Sequence, residues 1–152
     1  MKKTRIYLDN CCYNRPYDNQ NDTAIFKETQ AKMFVQSLIR YNTVDLVYSS
    51  VSVKEVMDTP FEEKRKSILE FIENNAKYYL GNDKNDDLIK LTEDVMKTGI
   101  KLKDASHTAC AIMSECDYMI STDKRLLKYK DNRIKIVNPI EFVEMWRKTI
   151  WE

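Results

Sequence analysis

Histidine, paired cysteines and long apolar runs are all scarce in this chain of 152 residues. His107 is the only histidine, which excludes His-rich metal sites and makes any Ser-His-Asp triad depend on that one residue. The four cysteines form no C-x-x-C pair, and adjacent Cys11 and Cys12 lack the spacing of a zinc chelate, so we expect reduced and mostly packed thiols. A metal in this protein would therefore depend on carboxylates.

Glycine and proline are also rare, with two and three residues, and no Pro/Gly/Ser-rich linker or internal repeat divides the chain. No apolar run approaches the roughly 18 residues that span a bilayer, and the N-terminal residues lack a secretory cleavage pattern. We expect one domain over residues 1–152, no membrane partner and a cytoplasmic location. The formal charge is only +1, so a polyanionic partner would need a local basic patch.

Short apolar segments alternate along the chain with segments of helical periodicity. The predicted strands are residues 6–8, 45–50, 76–80, 118–121 and 134–137, with helices in most of the intervals and a polar loop at 10–22. Such alternation predicts parallel strands joined by right-handed crossovers, with helices on both faces. The expected fold is α/β, a three-layer α/β/α sandwich around a mostly parallel sheet of four to five strands.

Four of the 24 acidic residues occupy special positions in this pattern. Asp9 directly follows the first predicted strand, and Asp123 follows the fourth almost as closely. Glu55 lies on a short helix after the second strand, while Asp104 opens the helix that leads to the fourth. Because ligands of open parallel sheets bind beyond the carboxyl ends of the strands, we expect these four side chains at one edge.

Each carboxylate also has an ordinary structural interpretation. Asp104 could cap its helix, and Asp9 or Asp123 could form turns. Glu55 could be an exposed residue near Lys54 on its short helix, which Ser52 could cap. Together, however, four carboxylates at one edge repel one another unless a cation neutralises them. Mg²⁺ and Mn²⁺ prefer oxygen ligands, and paired ions roughly 4 Å apart support in-line attack of water on a phosphate.

Four segments of the sequence, "IYLDN", "SSVSVKEV", "KDASHTACA" and "MISTDKRLL", resemble the PIN domain family, the VapC-like ribonucleases of the PIN-like nuclease superfamily. The similarity extends over almost the whole chain. It implies an α/β/α nuclease fold, a Mg²⁺ or Mn²⁺ site and, in many bacterial members, RNA cleavage as the toxin of a toxin-antitoxin pair. By motif position, the family's acidic residues fall on Asp9, Glu55, Asp104 and Asp123, and a hydroxyl position near the site falls on Thr122.

The chain departs from the family pattern after the first aspartate. Many members have a small hydroxyl residue there, whereas Asn10 and Cys11 follow here, in a loop longer than that of the minimal toxins. Asn10 would either hydrogen-bond to Asp9 or a metal-bound water, or simply form a turn. His107, one helical turn after Asp104, would be either a packed, hydrogen-bonded histidine or a contact of the site.

The resemblance implies an RNA substrate, and RNA binding needs cations that meet phosphates. The stretch from residue 124 to residue 135 carries six Lys or Arg against a single Asp, although a solvated surface is the alternative. The residues that we expect to contact RNA are Arg15, Lys124, Arg125 and Lys128. An antitoxin protein is the other implied partner, and a homodimer is left open.

Two other classes of protein compete with the ribonuclease. A catalytically silent PIN-like module would bind RNA or protein without cutting, although retention of all four carboxylates favours an active site. A haloacid-dehalogenase-type phosphatase needs a second aspartate where this chain has Cys11, and a receiver domain does not account for Glu55 and Asp104.

Overall fold

The computed structural model describes residues 2–14, 19–81 and 85–151. The predicted RNA contact Arg15 lies outside these ranges. The strands are β1 (Arg5–Leu8), β2 (Asp45–Ser49), β3 (Tyr78–Leu80), β4 (Tyr118–Ile120) and β5 (Lys135–Val137). The helices are α1 (Asn10–Asn14), α2 (Thr23–Arg40), α3 (Ser50–Met57), α4 (Glu62–Asn75), α5 (Asn85–Met96), α6 (Leu102–Met113), α7 (Lys124–Lys128) and α8 (Pro139–Trp151).

The five strands form one sheet in the order β3-β2-β1-β4-β5, and every neighbouring pair is parallel. The chain builds outwards from β1 through β2 to β3 and then returns to the other side of β1 for β4 and β5. Leu8 at the end of β1 is level with Ile120 at the end of β4. The two strands between which the strand order reverses therefore end together, and this places the residues that follow them side by side.

Helices cover both faces of the sheet, because successive side chains of each strand point to opposite faces. Ile6 and Leu8 of β1 pack with residues of α2, α4 and α8, whereas Tyr7 packs on the opposite face with residues of α5, α6 and α7. The predicted three-layer α/β/α sandwich is confirmed. Within the described ranges, no helix combines the length and the apolar character needed to cross a bilayer.

The first part of the predicted loop at 10–22 is helical. Residues Asn10–Asn14 form α1, in which Cys12 and Tyr13 are buried against the core. The Cys12 N–H donates to the Asp9 carbonyl at 2.9 Å, which continues the turn directly from the strand. The loop prediction was wrong because burial of two side chains in the tertiary fold outweighs a polar local sequence that shows no periodicity.

The two predicted helix caps were also placed wrongly. Ser49, not Ser52, caps α3: the Ser49 Oγ accepts from the Ser52 N–H, and the Ser52 Oγ accepts from the Ser49 N–H, which is a capping box. α6 begins at Leu102, two residues before Asp104, and its N-cap residue Lys101 makes no side-chain capping bond. Asp104 therefore lies in the first turn of α6, where the helix dipole favours a negative charge but no capping role occupies the carboxylate.

Gly99 lies in the turn that follows α5. Its φ of +99° lies in a region that residues with a Cβ rarely adopt, and it follows the last helical residue, Met96, by three positions. The turn at Gly99 takes the chain from α5 into α6, the helix that carries Asp104 and His107.

Candidate active site

The four predicted carboxylates line one cavity of about 350 Å³ beyond the carboxyl ends of β1 and β4. This is the point where the strand order reverses, the usual binding position in open α/β sheets. The lining residues are Asp9, Asn10, Cys11, Glu55, Lys101, Lys103, Asp104, Asp123 and Arg125. Sheet topology thus brings together side chains that are separated by up to 114 positions in the sequence.

Asp9 is fixed at the base of this cavity. Its N–H donates to the Ile120 carbonyl at 2.9 Å, which extends the pairing of β1 and β4 by one residue. Its Oδ1 accepts from the Asn10 N–H at 2.8 Å, and its Oδ2 accepts from the Ser121 hydroxyl at 2.9 Å and from the Cys11 thiol at 3.3 Å. Asp9 is only 6% exposed, and its carboxylate is held in one orientation by the three donors Asn10, Cys11 and Ser121.

Asn10 is the first residue of α1, so it belongs to a helix and not to the turn that was one of its two expected roles. Its backbone, not its side chain, bonds to Asp9, and its Oδ1 is buried without a hydrogen-bond partner among the described residues. Thr122 also contributes through its backbone, whose N–H donates to the Cys11 Sγ at 3.3 Å. The hydroxyl that contacts Asp9 belongs to Ser121, one residue earlier than the motif position indicates, while the Thr122 hydroxyl is buried with no partner in the part of the chain that the structure describes.

Glu55 approaches the cavity from α3 and is bound by His107. The His107 Nε2 lies 2.5 Å from the Glu55 Oε1, and the Lys103 Nζ lies 3.5 Å from the same oxygen. Burial opposes ionisation of Glu55, but the hydrogen bond with His107 and the nearby positive charge outweigh it and hold the pKa below its ordinary value. His107 is 1% exposed, so it is both a packed histidine and a contact of the site.

Asp104 shows the electrostatic character of the cavity most directly. Its pKa is raised above the ordinary value by partial burial and then by the negative charges of Asp9 and Asp123. Within the described ranges, its carboxylate accepts no hydrogen bond. Burial and neighbouring like charges therefore both disfavour the ionised form of Asp104.

Asp123 is the N-cap of α7, and its Oδ1 accepts from the Arg125 N–H at 2.8 Å and the Leu126 N–H at 3.4 Å. Its own N–H donates to the Ser121 Oγ at 3.0 Å, so Ser121 connects the Asp9 carboxylate to the Asp123 backbone. The capping interpretation and the site interpretation are thus compatible, since one carboxylate oxygen caps the helix and the side chain still lines the cavity.

The cationic residues at the cavity are only partly those predicted. Arg125 lines it, whereas Lys124 and Lys128 are exposed on α7 outside the lining set. Lys101 and Lys103, which are exposed at the start of α6, line the cavity and were missed. The available signal was their position in "KLKD", one and three residues before Asp104.

The donors of the cavity fit a hard divalent cation in their chemistry. All four carboxylates offer oxygen ligands, and burial together with the charges of Asp9 and Asp123 raises the pKa of Asp104. In the part of the chain that the structure describes, no three His, Cys, Asp or Glu side chains are already gathered at coordinating distance. An ion would therefore have to draw the carboxylates together.

The parallel order β3-β2-β1-β4-β5 and the helices on both faces form the PIN-like α/β/α fold that the resemblance of the sequence implies. Solved structures share this fold. FitAcB from Neisseria gonorrhoeae matches with a TM-score of 0.55 and 18% identity, over 89% of this chain and 98% of that chain. A VapBC complex from Rickettsia felis bound to a DNA fragment from its promoter matches with a TM-score of 0.55 and 14% identity, with the same coverage of both chains.

A third structure, a member of the VapBC family of toxin-antitoxin systems from Mycobacterium tuberculosis, matches with a TM-score of 0.52 and 14% identity, over 89% of this chain and 98% of that chain. Likeness at these identities establishes the fold. No protein-family model matches the sequence, and no curated protein does.

Proposed function

We propose that this protein is a Mg²⁺- or Mn²⁺-dependent ribonuclease that acts on cytoplasmic RNA as the toxin of a toxin-antitoxin pair. The observation that carries the proposal is the convergence of Asp9, Glu55, Asp104 and Asp123 on one cavity, where burial and then the neighbouring negative charges raise the pKa of Asp104. Like charges gathered at a ligand-binding edge without full neutralisation are typical of functional sites.

The chain's own residues would hold the ion and the substrate in place. Asp9 is oriented by Ser121 and Asp123 by its capping bonds, so both present carboxylate oxygens from fixed backbone positions. Asp104 and Glu55 would complete the oxygen ligand set. When bound, a divalent ion of this kind supplies activation of water and stabilisation of charge for phosphodiester hydrolysis. No nucleophilic side chain is then required.

RNA would lie across the cationic side of the cavity. Arg125, Lys101 and Lys103 reach the cavity, and Lys124 and Lys128 extend the positive surface along α7. Cations that follow a path to the acidic site would bind successive phosphates of a single strand and offset the repulsion between RNA and the carboxylates.

An antitoxin is the proposed protein partner, because the structures that share this fold include FitAcB and members of toxin-antitoxin systems. The chain also exposes apolar side chains between α3, α5 and α6. Ile89, Met96 and Leu102 line a groove of about 820 Å³ and are 46%, 38% and 61% exposed. Exposed apolar surface of this kind marks protein contacts. Light scattering with and without the product of an adjacent reading frame distinguishes an antitoxin complex from a homodimer.

The proposal is tested by incubating single-stranded RNA with purified protein in Mg²⁺, Mn²⁺ or EDTA. We expect cleavage only with a divalent ion, and we expect Asp104→Asn to lower the rate by orders of magnitude while the fold is retained. His107→Ala should have a much smaller effect than Asp104→Asn. Cleavage that survives EDTA and Asp104→Asn but is lost in His107→Ala would instead indicate metal-independent acid-base catalysis.

A silent PIN-like binding module is the second candidate. It is favoured by the absence, within the described ranges, of a group of side chains already arranged to ligate a metal. Wild-type protein that binds RNA but cuts none with either ion would support this module and contradict the ribonuclease.

A further inference from the structure

A chain of buried polar groups connects the start of α3 to Glu55. The Tyr7 hydroxyl lies 2.8 Å from the Ser49 Oγ, 2.8 Å from the Ser52 Oγ and 2.6 Å from the His107 Nδ1. The other ring nitrogen of His107 bonds to Glu55. Tyr7 and Ser49 are completely buried, so these groups must satisfy one another rather than exchange bonds with water.

Counting the hydroxyl protons of this network indicates which group donates and which accepts in each hydrogen bond. In the capping box, each seryl oxygen accepts a backbone N–H, at 3.2 Å for Ser49 and 3.4 Å for Ser52. The two seryl oxygens also lie 3.3 Å from each other, but each is closer to the Tyr7 oxygen, at 2.8 Å, so we assign both seryl protons to the Tyr7 oxygen. A phenol has two acceptor positions and one proton. When both acceptor positions are used by the serines, the Tyr7 proton points to the His107 Nδ1.

The hydrogen bond from Tyr7 determines which ring nitrogen of His107 carries the proton that faces the acidic cavity. An imidazole that accepts at Nδ1 carries its proton on Nε2. That proton faces the Glu55 Oε1 at 2.5 Å, whereas the Asp9 Oδ1 is more distant at 3.9 Å. The opposite neutral tautomer would set the Nε2 lone pair against a carboxylate oxygen and lose the bond. Since the ion pair with Lys103 also involves Oε1, the second oxygen of Glu55 is the one left for a cation.

We infer that Tyr7 and His107 form a one-directional hydrogen-bond chain, from the α3 capping box to Glu55, in which His107 is a positioning residue that fixes the Glu55 carboxylate for a divalent ion. The role toward the ion rests on the proposed function. The direction of the chain does not, because it follows from the contacts of Tyr7 and His107 alone. Outer partners that orient a ligating side chain typically change metal affinity by about 10- to 100-fold when they are replaced.

The direction is measured on untagged wild-type protein by nitrogen-15 NMR of the imidazole ring. His107 is the only histidine, so the spectrum contains one ring and needs no assignment by mutation. We expect the ring proton on Nε2, and we expect Tyr7→Phe to shift the ring toward the other tautomer or a mixture. A wild-type ring protonated on Nδ1, or on both nitrogens, would overturn the inference.

The positioning role is measured by Mn²⁺ calorimetry on two matched variants. The amide of His107→Gln reaches about as far as Nε2 and retains a donor for Glu55, whereas that of His107→Asn reaches only about as far as Nδ1. We expect the Asn variant to bind Mn²⁺ about 10-fold or more weakly and the Gln variant to recover most of the affinity. Thermal unfolding of both variants shows whether loss of folding accounts for the difference.

The outcomes separate this inference from the proposed function. Mn²⁺ binding by wild type, with equal binding by folded Asn and Gln variants, would overturn the positioning role and leave the ribonuclease intact. Wild-type protein that neither binds Mn²⁺ nor cuts RNA would contradict the proposed function and the role of His107 toward the ion, whatever the tautomer.

Discussion

Two aspartates in the same half of the chain have opposite environments. Asp131, between α7 and β5, accepts hydrogen bonds from the Arg133 Nε at 2.9 Å, the Arg133 Nη2 at 2.7 Å and the Tyr129 hydroxyl at 2.5 Å. Its pKa is lowered far below the ordinary range, chiefly by Arg133. Asp104 has no such partner among the described residues, and burial with two neighbouring aspartates raises its pKa.

The difference shows why carboxylates alone do not identify a site. Asp131 and Arg133 neutralise each other within a local turn, so the pair has no electrostatic need for a ligand. The cavity around Asp104 keeps its carboxylates near one another at an energetic cost, and the fold tolerates that cost at the edge where ligands bind. The comparison makes Asp131→Asn a matched control for substitutions in the cavity.

The largest expected difference between the two regions is in metal affinity. Asp9→Asn keeps the size of the side chain and an oxygen for Ser121, but it removes the charge that attracts an ion. We expect at least an approximately tenfold loss of Mn²⁺ affinity by calorimetry, against no change for Asp131→Asn. Equal binding by wild type and Asp9→Asn would exclude the cavity as the metal site.

A second difference concerns stability in EDTA. Removing repulsion by Asp104→Asn should raise the Tm at pH 7 by up to about 4 °C, whereas Asp131→Asn should lower stability by about 1 kcal/mol, as for a partly exposed ion pair. Mn²⁺ should then raise the Tm of wild type more than that of Asp104→Asn, because the ion binds the folded charged site. A lower Tm for metal-free Asp104→Asn would contradict the repulsion.

The pH dependence of these two variants should have opposite signs. The folded pKa of Asp104 is raised, so its ionisation destabilises the folded wild type. This loss of stability, which Asp104→Asn removes, develops as the pH rises from the ordinary carboxyl pKa through the folded pKa, and it is absent in acid. The folded pKa of Asp131 is lowered, so its contribution is complete above the ordinary carboxyl pKa and is lost as the pH falls toward the folded value. Thermal unfolding of wild type and both variants between neutral and acidic pH measures both trends.

The smallest expected effect is on RNA binding by the cationic surface. RNA binding should weaken as the salt concentration rises, and the slope of log K against log salt concentration measures this dependence. Replacing Arg125 and Lys128 by Ala should reduce that slope by about 0.7 for each RNA phosphate that these side chains neutralise, with Mn²⁺ affinity unchanged. Lys130→Ala, an exposed lysine outside the cavity, is the control. A salt dependence that the double substitution leaves unaltered would remove this surface from the RNA path.

The sequence was sufficient to predict the layers of the fold and the position of Asp9 and Asp123. Both predictions use the same physical fact, that parallel strands end at a common edge, so a residue directly after one strand lies beside a residue directly after its neighbour. The pairing of Leu8 with Ile120 satisfies this condition for β1 and β4. The functional roles of these residues remain predictions.

Contacts that depend on how a helix docks were not predictable in this way. His107 follows Asp104 by three residues, so helical geometry places the two on adjacent parts of α6. Whether His107 reaches Glu55 depends on the packing of α3 against α6, and no local pattern specifies that packing. Ser121 was overlooked for a similar reason. Whether the hydroxyl of Ser121 or that of Thr122 turns toward Asp9 depends on where β4 ends, and the composition of the motif does not specify that position.

β4 comes late in the sequence but pairs with β1, so the cavity cannot form before β4 has been synthesised. Asp9 is placed by pairing with Ile120, which is 111 residues further along the chain, so its surroundings depend on contacts of very high sequence separation. Such contacts require the entropy of closing a long loop to be overcome, which slows folding. During synthesis, a chain that has reached only β3 carries Asp9 and Glu55 but lacks Asp104, His107 and Asp123. A growing polypeptide therefore stays without the assembled cavity until most of its length has left the ribosome.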